Sequence, residues 1–93
     1  MKNKKLDIIR NKIDKLDQLL LNLIKKRTNL VNRVIKVKKS KKDIFDRKRI
    51  NVVLKNIKKN SIKKNIDPKI TKNIWSSMIK SYIEYERKNF NKK

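Results

Sequence analysis

Cysteine and histidine are both absent from the 93 residues. There is accordingly no disulfide framework, no thiolate chemistry and no metal site built on either residue, and a reducing cytoplasm is compatible with such a chain. Carboxylates are scarce, eight against thirty lysines and arginines, and they are scattered along the chain. No apolar run approaches the ~20 residues of a membrane span. The basic start MKNKKLDIIRNK is not followed by an apolar run of signal-peptide length, because charges recur every few residues. Glycine and alanine are missing and proline occurs once, so little interrupts a helix. A chain of this size reads as one domain, residues 1–93, with a core that is marginal for a monomer.

What the chain has in excess is positive charge, a formal net +22. A polyanion partner is the direct reading of that number. Codon bias is the other. Lysine, isoleucine and asparagine make up more than half the chain, and all three have A/T-rich codons. The lysines are spread along every segment instead of gathering into one arm or stripe, which favours compositional drift. Lysine also outnumbers arginine four to one. A position that remains arginine is therefore a candidate for planar, bidentate binding of a carboxylate or phosphate. Arg10, Arg27 and Arg49 are kept as such candidates, while Arg33, Arg47 and Arg87 are read as solvated surface charges.

The chain is organised around its first third. From Leu6 to about Lys39, Ile9, Ile13, Leu16, Leu20, Leu23 or Ile24, Leu30 or Val31, and Val34 follow the three-and-four spacing of one apolar helix face. At 1.5 Å per residue that helix is roughly 50 Å long, more than a small globule can cover, and it asks for a partner chain. Lys38 to Asp46 breaks the pattern as a short connection, with Asp46 placed to cap the next helix, about 47–64. On that helix Ile50, Val53, Leu54, Ile57 and Ile62 (or Ser61) are expected to face inward. Asn65-Ile66-Asp67-Pro68 is a turn and a helix start together, Asp67 the N-cap and Pro68 the first helical position. The third helix is expected over about 69–88, with Ile70, Ile74, Met78, Ile79, Tyr82 and Tyr85 inward, and the tail from Asn89 to fray. One long and two shorter helices make an all-α architecture. Asp14 and Asp17 read as surface partners of nearby lysines, and Trp75, Met78 and Phe45 as packing residues.

The ordered set Arg10-x-x-Ile13-Asp14-x-x-Asp17-x-x-Leu20, then Arg27, Val34 and Lys38, resembles the first helix of the all-helical (AroQ) class of chorismate mutases. The likeness continues in Ile44-Phe45-Asp46-x-x-Arg49 with Val53-Leu54, and again in Ile66-Asp67-Pro68 and Ile74-Trp75-x-x-x-Ile79. The resemblance implies an intertwined helical homodimer with two active sites, each built from both chains, that rearranges chorismate to prephenate on the way to phenylalanine and tyrosine. It implies that Arg10 reaches from the partner chain to one substrate carboxylate and that Arg27 binds the other. Lys38 would donate to the ether oxygen, Asp46 would contact the ring hydroxyl region, and Arg49 would support the electrostatics. Glu86 stands where the family has Gln, or Glu in eukaryotic members, and would reach the same ether oxygen.

Helix geometry bears on these expectations. Arg10 and Arg27 are 17 positions apart, roughly 25 Å along a helix, so a small dianion touches both only if they come from two chains. Arg27 and Lys38, 11 positions apart, fall near one face about 16 Å apart if the helix runs through both. The implied reaction is unimolecular and asks for no nucleophile, metal, cofactor or proton relay. Catalysis would consist of holding a flexible arm in its reactive conformer. Lys38 and a protonated Glu86 would then stabilise negative charge developing on the ether oxygen.

Three positions depart from the family pattern. Ile50 stands where Glu is usual and removes an acceptor for the substrate hydroxyl. Tyr82 stands where Ser is common and adds bulk near the carboxylate. Glu86 can donate a hydrogen bond only when protonated. The first two keep open an alternative on the same fold, a lyase that removes pyruvate from isochorismate. The alternative from another class is a basic helical nucleic-acid-binding protein. The dispersed lysines, the five aromatics and a stripe suited to dimer burial weigh against it. The expected partners are therefore chorismate and a second copy of the chain, with no specific nucleic acid and no membrane.

Overall fold

The computed structural model describes residues 3–90, and these form three α-helices and one short 3-10 turn, with no strand among them. α1 is Lys4–Val37, α2 is Arg47–Lys63 and α3 is Pro68–Asn89. The chain divides into two compact units, residues 1–32 and residues 33–93. Residues 91–93, most of the tail expected to fray, lie outside the described residues.

The first unit is the α1 segment up to Asn32. The helix begins earlier than the apolar pattern, because Asn3 caps it: its Oδ1 accepts from the Leu6 N–H at 3.1 Å. Asp7 in the first turn adds a favourable charge at the positive end of the helix dipole. No described residue of this unit is buried. Leu16, Leu19, Leu20, Leu21 and Leu23 are each more than half exposed. A leucine or isoleucine is worth about 1.5–3 kcal/mol when taken out of water, so an uncovered row of them is a large unspent driving force for association.

The second unit contains the last turn of α1, the 3-10 turn Lys41–Asp43, α2 and α3. α3 folds back along α2. α2 starts where the Asp46 carboxylate accepts from the Arg49 N–H at 3.0 Å. It ends in a Schellman closure, with Ile66 N–H bonded to the Ser61 carbonyl at 2.9 Å and Asn65 N–H to the Ile62 carbonyl at 3.1 Å. That closure needs a left-handed residue, and in a chain without glycine Asn65 supplies it at φ 57°. Asp67 then caps α3 through the Lys69 N–H at 3.0 Å, with Pro68 as its first residue.

At the turn end of this hairpin α2 buries the second of its two expected residues, Ser61, and α3 departs from expectation. Ser61 is buried at 4 % exposure while Ile62 is exposed, and Thr71 is buried while Ile70 and Ile74 are exposed. The reason is a hydroxyl pair. Ser61 Oγ and Thr71 Oγ1 lie 2.7 Å apart, and each also bonds a carbonyl of its own helix, Ile57 at 2.6 Å and Pro68 at 3.3 Å. Small side chains that satisfy one another let the two helices approach closely, and a buried hydroxyl so paired costs little. Ile35 and Ile44 are the buried apolar residues among those described.

Candidate active site

Lys38 stands one residue beyond α1 instead of within it, although its N–H still bonds the Val34 carbonyl at 3.0 Å. Released from the helix, its side chain reaches α3, where Nζ donates to Glu86 Oε1 at 3.0 Å. The same ammonium donates to the Ile44 carbonyl at 3.4 Å. The side chains are 20 % and 11 % exposed, so both charges are largely withdrawn from water. An ion pair that deep is weak evidence for stability, since apolar residues of similar size would serve as well. Two residues 48 apart in sequence thus meet as a shielded cation and carboxylate.

The other expected residues are placed as follows. Asp46, Arg49 and Ile50 form the start of α2, where Asp46 is an exposed cap, Arg49 is exposed and Ile50 is half-buried. Tyr82 lies one turn before Glu86 on α3, half-buried, with its ring edge-on to Tyr85 at 6.3 Å between centroids. All of these belong to the second unit. Arg10 and Arg27 belong to the first, Arg10 exposed and Arg27 half-buried on α1. The structure brings Lys38 and Glu86 into direct contact. Arg10 and Arg27 share one continuous helix, which separates them by roughly 25 Å.

Arg27 carries a signal that a search for arginines alone passes over. Ile9, Ile13, Leu16, Leu20, Leu23, Arg27, Leu30 and Val34 alternate steps of four and three, a heptad seam in which Arg27 takes an apolar place. A guanidinium there is costly to bury unless an anion meets it. Phe45, expected as packing, is 46 % exposed and carries the Arg47 guanidinium over its ring at 5.7 Å.

A cavity of about 610 Å³ lies elsewhere, between α2 and α3 toward their turn, lined by Leu54, Lys55, Lys58, Pro68, Lys69 and Lys72. It includes none of the eight expected residues, and its lysines are exposed. Among the described residues no group of three or more carboxylates could hold a metal ion, and no helix is long and apolar enough to cross a membrane.

The family model described as chorismate mutase type II matches residues 9–87, a span that holds every expected site residue from Arg10 to Glu86. That is most of the chain. The chain belongs to the chorismate mutase type II family, and the activity of that family is chorismate mutase. No curated protein and no solved structure matches it.

Proposed function

We propose that this chorismate mutase converts chorismate to prephenate in a single Claisen-type rearrangement, without a covalent intermediate or cofactor, as a cytoplasmic homodimer serving phenylalanine and tyrosine synthesis. The observation that carries the reading is the shielded Lys38–Glu86 pair at 3.0 Å, in a chain of this family. Residues 1–93 act as one domain whose uncovered α1 stripe is closed by a second copy, the two chains intertwining.

In this reading Arg27 and the partner subunit's Arg10 grip the two carboxylates and hold the enolpyruvyl arm in its reactive conformer, which removes the entropy of finding it. Lys38 donates to the ether oxygen as its carbon–oxygen bond breaks, and Glu86, protonated, donates to the same atom. As that carbon–oxygen bond breaks and the new carbon–carbon bond forms, the electron density on oxygen is met by positioned donors, and no proton is transferred. Asp46 and Arg49 face the ring hydroxyl and the carboxylate field. Ile50 offers the hydroxyl an apolar wall instead of an acceptor, and Tyr82 narrows the floor next to Glu86.

The test is product identity. Purified protein incubated with chorismate should consume it and release prephenate. Pyruvate released from isochorismate, with chorismate untouched, would instead assign the lyase reaction that Ile50 and Tyr82 leave open.

A further inference from the structure

Lys38 is held by two anchors of different kinds. Glu86 Oε1 takes its ammonium at 3.0 Å as an ion pair, and the Ile44 carbonyl takes it at 3.4 Å as a neutral acceptor. The Ile44 side chain is 3 % exposed, so that carbonyl is fixed from one side by burial. From the other side it is fixed by the turn before it. Ile44 N–H bonds the Lys41 carbonyl at 3.2 Å, and Asp43 N–H bonds the Ser40 carbonyl at 3.1 Å. The Asp43 carboxylate closes the turn by accepting from Ser40 N–H at 3.2 Å and from Ser40 Oγ at 3.4 Å. Asp43 and Ser40 belong to no site described above.

We propose that Asp43 is a positioning residue for Lys38: its carboxylate locks the Ser40–Asp43 turn, and the turn aims the Ile44 carbonyl that steadies the Lys38 ammonium. The inference rests on the reading of Lys38 as the donor to the ether oxygen. The two anchors part company when Glu86 carries a proton, the form that reaction uses. A neutral acid no longer pairs with the ammonium, whereas a backbone carbonyl accepts in every protonation state. Lysine is a flexible, compact point charge on a four-carbon stem, with no planar fork to hold its direction. In the working form, then, the Ile44 carbonyl is the anchor that persists, and Asp43 sets where it points. Asp43 lies among Lys38, Lys39, Lys41 and Lys42, so its charge is the competing explanation. Asparagine separates the two, because it keeps the acceptor oxygen and loses the charge.

The experiment compares Asp43→Ala, Asp43→Asn and Lys38→Ala in chorismate turnover, with helix content, melting and oligomeric state matched to the wild type. Asp43 is exposed in a surface turn, so neither substitution removes core packing. The expected result for Asp43→Ala is a fall in kcat of about tenfold or more, the scale on which a displaced catalytic group loses rate, with KM little changed. Asp43→Asn should restore kcat to near the wild-type value. Wild-type kcat in Asp43→Ala beside an inactive Lys38→Ala would overturn the positioning role and leave the site standing. Equal losses in the alanine and asparagine variants would also overturn it, in favour of charge alone. Full turnover by Lys38→Ala would remove the reading beneath it.

Discussion

Lys38 Nζ and Glu86 Oε1 meet at 3.0 Å across the second unit, one just past the end of α1 and the other near the end of α3. In the proposed mechanism, substitutions at this pair separate stability from catalysis. Lys38→Met should leave a mostly shielded carboxylate without its cation and lower stability by about 1–3 kcal/mol. Adding Glu86→Met removes that orphaned charge and should restore stability while leaving turnover abolished. Urea unfolding and chorismate turnover on the single and double variants check this. A double variant that turns over normally would exclude the pair from the site.

Glu86 is assigned a donor role, and a permanent donor tests it. A carboxylate facing the ether oxygen opposes the negative charge that develops there, and a neutral donor stabilises it. Glu86→Gln installs such a donor at similar shape and should keep or raise turnover, whereas Glu86→Ala should lower kcat about a hundredfold. Steady-state kinetics on both variants, with folding checked for each, is the measurement. An inactive glutamine variant beside a fully active alanine variant would contradict the assignment.

Arg27 stands on an otherwise apolar seam, so its removal should trade function for stability. Arg27→Leu completes the seam and, in the proposed homodimer, should raise stability by about 1–3 kcal/mol, the worth of one buried leucine. The same change should cost about a hundredfold in kcat/KM, or about 3 kcal/mol of lost transition-state binding. Concentration-dependent melting and steady-state kinetics report the two effects separately. A less stable variant, or one of unchanged activity, would show that Arg27 is structural.

The net charge of +22 should have little to do with function. Binding to labelled duplex and single strands should be weak and sequence-independent, and should be lost steeply with salt near 0.15 M ionic strength, about physiological. Tight, sequence-selective binding there would promote the nucleic-acid reading.

How much could be read in advance depended on how local the physics was. Asp46 and Asp67-Pro68 were legible because a cap is satisfied within three residues. The stripe on α1 was legible because periodicity needs no partner to be seen. Ser61 was legible only as the alternative to Ile62, and Thr71 not at all, because only the close approach of two helices selects a hydroxyl pair for burial. Asn65 was placed in a turn, but its left-handed backbone follows from how α2 closes. Within the site, family register picked Lys38 out of a run of lysines. The Ile44 carbonyl that holds it was invisible, because every residue has a carbonyl and only folding selects one.

The central claim is that one active site is assembled from two chains, and mixing variants tests it most directly. Arg10→Ala and Arg27→Ala chains, each inactive alone, are combined, the heterodimer is isolated, and its conversion of chorismate to prephenate is measured. If the substrate is gripped by Arg27 of one chain and by the partner subunit's Arg10, one of the two sites in the heterodimer is wild type at both positions. Turnover should then recover to about half the wild-type rate per dimer. A verified heterodimer with no recovered activity would contradict the shared site.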